Sequence, residues 1–583
     1  MITPVEFYDC VKGSDEARHV AWMWDRFNNQ RRQKIEEWKE LRNYLFATDT
    51  STTTNSTLPW KNSTTRPKLT QLRDNLHANY ISALFPNDNW FKWEGHTVDD
   101  ATTKKARTIE SYMVSKTRQA NFKTEASKLL LDFIDYGNTF ATVIAENRVK
   151  ELPDGSTTTE YVGPRLVRIS PLDIVFDANA SSFNDSFKIV RSLRTIGDLR
   201  TMAQDEPDNA YLIDALNKRE LIHRNMGTYS IEDQDKAEGI LIDGFGNLSE
   251  YYQSGTVEIL ELWGDIHDPV SGELQRNMVI TVIDRAHVIR KEKINNYLGA
   301  APFFHVGWRT RPDNLWAMGA LDNLVGMQYR IDHLENLKAD AMDFLVHPPL
   351  KIKGEVEEFQ WAPGAHIHID EDGDVVEMAL NMSSVALTNN EIMGIEAEME
   401  LFAGAPREAM GVRTAGEKTA FEVQQLQNAS GRIFQEKITV FERELIEPVL
   451  NAMLETTLRN MTESVIVGTT NDDLGGMVFR TITRDDLAAN GLLRPTGARH
   501  YAAQAQLMSN LNMLYSGALG QIIAPHVSTL QMAKLVEDAL GLDKYNLISP
   551  NIAIAEAQEA QALAGQAQED LAVAQSTPVE GQG

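Results

Sequence analysis

The chain has 583 residues, 42% hydrophobic and 24% charged, a composition typical of folded globular proteins and a length too great for a single core. Its formal net charge of −27 argues against a protein that coats itself in nucleic acid, but it allows one past which DNA slides. A single cysteine, Cys10, excludes an internal disulfide framework and a cysteine-rich zinc site. The sequence shows neither a signal peptide nor an apolar run of membrane-spanning length, so we expect synthesis in a reducing cytoplasm.

Helical periodicity dominates the first 136 residues. Apolar residues recur at three- and four-residue intervals, a pattern that predicts amphipathic helices. Pro67 is a suitable first-turn residue, and Pro86 is a suitable stop. The patterns predict four helices, at 15–47, from 67 to 86, 99–118 and 122–136, with a short aromatic strand at 89–95.

The character changes between residues 138 and 310. Alternating and β-branched apolar residues, separated by turn sequences, are typical of strands. We predict a β-rich region with one helical interruption at 195–224. The clearest strands are predicted at 139–149, 159–169, 256–266 and 276–290.

From residue 319 the chain alternates long helices with a small β segment. The first helix ends where His347 precedes two prolines, and Pro448 predicts a kink in the last long helix. The predicted order is a helix at 319–345, a β segment at 350–378, a helix at 384–402, a glycine loop at 403–416, a helix at 417–461, a β stretch at 464–482, and helices at 497–518 and 528–540.

One stretch is similar to a phosphate-binding loop. Gly411 and Gly416 have the spacing of the G-x-x-x-x-G-K-[ST] motif, but Glu417 intervenes before Lys418. The motif works where a strand delivers the glycines to a helix N-terminus, and the preceding segment here is helical. We therefore favour a flexible loop that leads into a helix, with a degenerate nucleotide site as the alternative.

A second candidate is the HIHID segment. His366, His368 and Asp370 share one face of a strand, as metal ligands do. No further histidine or cysteine is nearby in sequence, so a solvent-facing strand is the better interpretation. Because no serine elbow or nucleophile–base pair is evident either, we predict a protein that is not an enzyme and that uses no cofactor.

Basic residues cluster at the glycine loop and at the start of the β segment. Arg407, Arg413 and Lys418 surround the glycine loop, and Lys351 and Lys353 begin the β segment. Such residues are often simply solvated surface charges. Their functional interpretation is weak, sequence-independent contact with phosphates.

The order of elements from 319 to 461 resembles that of the portal proteins of tailed bacteriophages. The stretch NLWAMGALDNLVGMQYRIDHLENLKADAMDFLVHPPLKI (314–352) resembles the first stem helix of that family and its approach to the clip. The stretch GVRTAGEKTAFEVQQLQNASGRIFQEKITVFERELIEPVLNAML (411–454) resembles its channel loop and long helix. Looser similarities lie at 133–144, 168–180 and 493–506, so that the resemblance spans residues 15–545.

The resemblance implies an α+β portal fold with a β-rich wing, a two-helix stem, a small β clip inserted in it, a long kinked wing helix and a helical crown. The implied regions are the wing (1–318), the first stem helix (319–349), the clip (350–380), the second stem helix (381–402), the channel loop (403–416), the long helix with a β return (417–496), the crown (497–555) and an Ala/Gln-rich tail (556–583).

The resemblance also implies a function. Twelve copies would form a ring at one capsid vertex of the virion, in the style of a short-tailed phage, and conduct double-stranded DNA during packaging and ejection. Partners would be the terminase large subunit, adaptor and tail proteins, and the major capsid and scaffolding proteins, with no membrane. Alternatives are a degenerate P-loop ATPase and another virion structural protein, such as an adaptor or ejection protein.

Three groups of residues acquire expected roles from the resemblance. The implied DNA-channel loop carries Arg407, Arg413 and Lys418. The implied docking surface of the clip carries Lys351, Lys353 and Glu355. An acidic channel wall, which repels DNA, would carry Glu391, Glu396, Glu398 and Glu400.

Overall fold

A computed structural model describes residues 16–58, 61–86, 90–95, 100–151, 157–205, 207, 209–224, 255–267, 274–293, 302–346, 350–353, 374–377, 382–403, 433–461, 464–470 and 477–496. The chain divides into two compact units. The larger unit comprises Met1–Asn87 and Thr117–Asn460, and the smaller comprises Asp88–Lys116 and Met461–Gly583. The predicted crown helices and tail lie outside the described residues.

Runs of helices and runs of strands follow one another along the described chain. The helices are α1 (Glu16–Gln30), α2 (Arg32–Phe46), α3 (Lys68–Leu84), α4 (Asp100–Gln119), α5 (Phe122–Asp135), α6 (Ile196–Asp205), α7 (Ala210–Arg224), α8 (Val325–Val346), α9 (Met382–Phe402), α10 (433–460, which includes a π-helical segment at Glu442–Ile446) and the short α11 (Arg484–Leu487).

Strands make up most of the described residues between 138 and 310, and the α+β class is confirmed. They are β1 (Phe91–Gly95), β2 (Asn138–Glu151), β3 (Thr157–Ile169), β4 (Ile174–Phe176), β5 (Lys188–Thr195), β6 (Thr256–His267), β7 (Leu274–Ile283), β8 (His287–Lys293), β9 (Phe303–Gly307), β10 (Arg309–Arg311), β11 (Asn314–Met318), β12 (Leu350–Lys353), β13 (Asp374–Glu377), β14 (Val465–Thr470), β15 (Met477–Ile482) and β16 (Gly491–Pro495).

An antiparallel five-stranded sheet in the order β4-β5-β6-β7-β8 forms one core of the larger unit. Alternate residues of β6 and β7 point to one face, where α1 covers them with its apolar stripe. The buried residues of this core include Val20, Trp24, Leu260, Leu262 and Ile280. The apolar stripe of α1 and the alternate apolar residues of β6 and β7 therefore pack together in one core.

A second sheet in the order β3-β2-β9 borders an aromatic cluster. Phe140 on β2 lies 5.6 Å, centroid to centroid, from Phe176 on β4. Trp316 on β11 stacks on Phe176 at 4.5 Å. Large rings bury much apolar area, and these rings bring β2, β4 and β11 together.

The predicted single helix at 15–47 is wrong in one respect, because the chain breaks at Arg31 into α1 and α2. Arg31 is only 4% exposed. Its guanidinium donates hydrogen bonds to the carbonyl oxygens of Pro171 and Ile174, at 2.5 and 2.7 Å. A buried guanidinium needs such acceptors, and reaching them turns the helix at this residue.

The predicted strand at 276–290 is also wrong, because it is two strands, β7 and β8, joined by a tight turn. Asp284 and Arg285 have φ values of 52° and 56°, which cost free energy for residues other than glycine. The Arg285 guanidinium pairs with the Glu258 carboxylate, with Nε–Oε2 at 2.7 Å, and Arg219 pairs with Asp284. These buried ion pairs hold the turn.

The irregularity predicted at Pro448 takes the form of a π turn. Residues Glu442–Ile446 are π-helical, and the Glu447 N–H donates to the carbonyl oxygen of Glu442. Proline has no N–H to donate to the carbonyl four residues earlier, and one-turn π segments adjust helices at such points. The long helix is therefore irregular immediately before its proline.

The smaller unit pairs β1 with β16 from the other end of the chain. Trp93 on β1 is opposite Leu493 on β16, and both are buried. The Trp93 backbone N–H donates to the Glu110 carboxylate of α4 at 2.6 Å. A Cβ atom at Gly491 would lie 2.4 Å from the Glu94 carbonyl oxygen, so only glycine fits at the start of β16.

The structural role of the Arg285–Glu258 ion pair, which holds the β7–β8 turn, can be tested by substitution. We expect Arg285→Ala to weaken local stability by about 3–5 kcal/mol, because the Glu258 carboxylate, 1% exposed, is left charged and unpaired in the interior. Hydrogen exchange of the β6–β8 amides measures this loss.

Arg290→Ala is the matched control for that substitution. Arg290 also faces a β6 carboxylate, that of Glu261 at 3.8 Å, but its side chain is 48% exposed. Its removal should cost less than about 1 kcal/mol. Equal effects of the two substitutions would contradict a structural role for the buried pair.

Candidate functional site

Helices α8 and α9 pack side by side and are joined through a β ribbon. The ribbon pairs β12 with β13 antiparallel, with Leu350 opposite Glu377 and Lys353 opposite Asp374. The predicted helix–β–helix order is thereby confirmed, except that the first helix begins at Val325 rather than 319, after a short 3-10 turn at Asp322–Leu324. We call residues 325–353 and 374–402 the helical hairpin.

Burial along the helical hairpin is strongly uneven. Its buried residues lie between 328 and 336 on α8 and between 392 and 400 on α9. None of the side chains described within 337–346, 350–353, 374–376 and 385–391 is buried. We call the first part the base of the helical hairpin and the second its free end.

Large apolar side chains are exposed along this hairpin to an unusual degree. Ordinary surfaces expose such residues singly, and contiguous apolar surface marks an interaction site. Among the described residues, ten of the 22 exposed large hydrophobic side chains belong to the hairpin: Leu337, Met342, Phe344, Val346, Ile352, Val376, Leu387, Met393, Leu401 and Phe402.

Polar side chains recur every four residues on α8, from the base into the first turn of the free end. Residues four apart lie on one helix face. This face is turned toward residues 61–69, which lead into α3 and include its first two residues, and which we call the strap. The α8 side chains that bond the strap, which we call the polar ladder, are Gln328, Asp332, Asn336 and Asp340.

The ladder bonds the strap through its backbone. The Asn336 amide accepts from the Thr64 N–H at 2.8 Å and donates to the Thr64 carbonyl at 2.9 Å. The Asp332 carboxylate accepts from the Arg66 N–H at 3.0 Å. These bonds satisfy backbone groups that would otherwise be costly to remove from water, in the way that a neighbouring strand would.

The two ends of the ladder extend the same pattern. The Gln328 amide donates to the Arg66 carbonyl at 2.6 Å and accepts from the Leu69 N–H at 3.2 Å. The Asp340 carboxylate accepts from the Asn62 N–H at 3.0 Å. The strap is therefore fixed over more than two turns of α8.

Two ion pairs tie the same strap to α9. Arg66 Nε lies 2.9 Å from Glu396 Oε1, and Lys68 Nζ lies 2.6 Å from Glu400 Oε1. The Lys68 and Glu400 side chains are 7% and 6% exposed. A pair this deeply buried is costly to break, because the remaining charge has no partner.

These pairs correct the predicted acidic wall. Glu396 and Glu400 are buried against the strap and do not belong to an exposed acidic surface. Glu391 and Glu398 are exposed, and Glu391 pairs with Arg330 at 3.0 Å across the two helices. The expected wall is thus reduced to two exposed carboxylates.

The other expected site residues divide into two groups. Lys351 and Lys353 are exposed on β12, in the free end. Glu355, the basic residues Arg407, Arg413 and Lys418, and the histidines of the HIHID segment lie outside the described residues.

Asp332 occupies the most unusual environment in the ladder. It is fully buried, and burial raises the pKa of its carboxyl group from 3.8 to about 6, although the Arg66 N–H and the Gln328 amide act in the opposite direction. Its second oxygen, Oδ2, has no hydrogen-bond partner. Removing the carboxylate from water favours its neutral form.

The sequence alone did not identify the ladder. Its signal is nevertheless present: polar residues that recur every fourth position on a helix whose stripe is otherwise apolar. The partners could not be inferred, because the strap lies more than 250 residues earlier: Arg66 precedes Gln328 by 262 positions.

Comparison with known proteins adds no assignment. No family model matches this chain, and no curated protein sequence is significantly similar to it. Within the described part of the chain, no cluster of three or more histidine, cysteine or acidic side chains is arranged to hold a metal ion. No described helix combines the length and apolar character needed to cross a bilayer.

The ladder generates a test by substitution. Asn336→Ala should destabilise the strap by about 1–3 kcal/mol, because the Thr64 N–H and carbonyl lose their partners in a partly buried position. Faster hydrogen exchange in residues 61–69 measures the effect. Leu337→Ala, at an exposed neighbouring position (43% exposed), is the control and should leave exchange unchanged.

The buried Asp332 carboxyl predicts a dependence of stability on pH. Because its pKa is higher in the folded protein, the folded state binds more protons as pH falls through about 6, and stability rises. From about pH 7.5 to about pH 5.5, this group should add on the order of 1 kcal/mol to the free energy of unfolding.

Asp332→Asn should abolish that contribution, since the amide does not titrate. Urea unfolding of both proteins at the two pH values measures it, above the isoelectric point of about 4.9. The same change of stability with pH in the variant would show that Asp332 is not responsible.

Proposed function

We propose that this chain is a portal protein, the head-to-tail connector of a tailed bacteriophage. In this proposal, twelve copies form a ring at one capsid vertex and conduct double-stranded DNA inward during packaging and outward during ejection. The helical hairpin is the stem, and the β ribbon that it carries is the clip. The chain performs no bond chemistry.

The observation that carries the proposal is the uneven burial of the helical hairpin. Its base is fixed by the strap, whereas its free end buries none of its described side chains and exposes large apolar groups such as Phe344, Val346 and Leu387. A monomer gains nothing from such a surface. Neighbouring copies in a closed ring would bury it.

The charge of the chain agrees with a conduit for DNA. A net charge of −27 favours a channel that repels the phosphate backbone over a surface that grips it. The exposed Glu391 and Glu398 on α9 are the described candidates for such a wall. The proposed loop contacts of Arg407, Arg413 and Lys418 complete this picture.

The exposed ribbon suits a docking role. Lys351 and Lys353 alternate with Ile352, which is 52% exposed, so that β12 presents charged and apolar groups together. We propose that this surface docks the terminase large subunit during packaging and adaptor or tail proteins afterwards. Scaffolding and major capsid proteins would contact the assembled ring.

The mass of the purified protein tests this proposal first. Twelve chains of 65.4 kDa amount to about 785 kDa, and mass photometry with negative-stain imaging should find rings of that mass with a central hole. A species of one or two chains that also binds ATP would overturn the proposal and favour a degenerate nucleotide site at Lys418.

Substitutions on the hairpin give a second test. Phe344→Asp combined with Leu387→Asp should reduce the ring population at least about tenfold and release smaller species, because each change places a charge in the proposed interface. Native mass measurement gives the populations.

Tyr211→Asp is the control for that double substitution. Tyr211 lies on α7, away from the hairpin in sequence, and its side chain is 68% exposed. It should leave assembly intact. Rings that survive the double substitution would show that the hairpin is not the assembly surface.

A further inference from the structure

The larger unit contains a surface cavity that neither the hairpin nor the strap uses. Its volume is about 370 Å³, within the range of sites that hold small ligands or single anchoring side chains. Helices α2 and α5 form its walls, and residues 168–172, between β3 and β4, close one side.

One wall of the cavity is apolar and rigid. Trp38 is 1% exposed, and its ring packs edge-on against Tyr136 at 5.2 Å. Leu41 and Leu45, one and two turns further along α2, continue this wall. Phe46 at the rim is 66% exposed, so that the apolar surface extends beyond the cavity.

Most of the remaining lining is charged, with a positive excess. Four cationic residues and two carboxylates line the cavity: Arg42, Arg73, Lys128, Arg168, Asp132 and Asp135. The whole chain carries 83 acidic and 56 basic residues. The cavity therefore reverses the sign of charge that prevails in the protein.

Three of the cations already have acidic partners. Lys128 pairs with Glu125, which does not line the cavity, with Nζ and Oε1 2.7 Å apart. Arg73 forms a two-bond pair with Asp135, at 2.7 and 2.8 Å, and Arg168 pairs with Asp132. Both carboxyl groups are largely buried, and burial raises the pKa of Asp132 to about 6. These pairs form a fixed polar floor, in which each guanidinium orients its carboxylate.

Arg42 differs from the other guanidiniums in the cavity. It is exposed, and it forms no hydrogen bond or ion pair with the described residues. It lies close enough to the phenol of Tyr136, which also lines the cavity, to act on it electrostatically. A cation without a partner among the described residues and a phenol that lines the same cavity are suited to receive an anionic oxygen.

We propose that this cavity binds an acidic peptide segment of a partner protein, with an apolar side chain against Trp38 and Leu41 and a carboxylate on Arg42 and the Tyr136 hydroxyl. Phe46 favours a peptide over a small free acid, because its exposed ring offers apolar surface outside the cavity. This binding does not depend on the ring proposed above, and its test is independent of that proposal.

The direct test uses a blocked peptide, acetyl-Asp-Phe-Glu-amide with a fluorinated phenylalanine ring, followed by fluorine NMR in the presence of the full-length protein. We expect binding that weakens as salt is added. The neutral peptide acetyl-Asn-Phe-Gln-amide, with the same ring, should bind about tenfold more weakly or worse.

Two variants locate the site. Arg42→Ala should weaken binding of the acidic peptide about tenfold, and Lys39→Ala should not change it. Lys39 lies on the same helix, is 60% exposed, and pairs with Glu36 outside the cavity. Because Arg42 is exposed, its loss should leave the unfolding temperature unchanged, which excludes misfolding as the cause.

Fluorinated 3-phenylpropionate, a small free acid, tests whether the bound carboxylate must belong to a peptide. We expect it to bind more weakly than the peptide and to be indifferent to Phe46→Ala, which should weaken the peptide. Equal affinity of the free acid and the peptide would overturn the choice of a protein partner. Equal binding of the acidic and neutral peptides, or no binding, would overturn the proposal altogether.

Discussion

The arrangement of the helical hairpin depends on how the backbone hydrogen-bonding groups of one segment, the strap, find partners. Before Lys68 the strap belongs to no helix and no strand. Apart from a bridge between Thr64 and Asp49 and the bond from the Thr50 N–H to the Ser63 carbonyl, its backbone groups need other partners. The amide and carboxylate side chains of the polar ladder supply them from α8, and Glu396 and Glu400 on α9 neutralise Arg66 and Lys68. One segment thereby fixes two helices, whereas the described side chains of the free end stay unburied.

This division separates stability from association. Buried polar networks of the kind at the base favour a single geometry, because every misplacement leaves a polar group unsatisfied. Exposed apolar groups at the free end impose no geometry within the monomer, and their burial awaits another surface. A fixed base below an exposed apolar end is suited to joining identical subunits in one register, which is what the proposed ring requires.

The charged groups are also divided between those paired in the interior and those left without such pairs. Several cations of this acidic chain are committed to internal pairs, as Arg285 is with Glu258 and Lys68 is with Glu400. The cavity between α2 and α5, by contrast, is lined by Arg42, which pairs with no acidic group among the described residues. The positive charge of the cavity lining in this acidic chain is therefore a property of the fold and does not follow from composition.

The sequence by itself determined which segments are helical and which are extended, because side-chain periodicity is a local property. The order of α8, the β ribbon and α9 follows from it, as do β2, β3 and the irregularity near Pro448. Only the tertiary structure decided the break at Arg31, the turn at Asp284 and Arg285, and the burial of Glu396 and Glu400. Each depends on a partner distant in the chain, and no local pattern specifies which distant group a buried charge will meet.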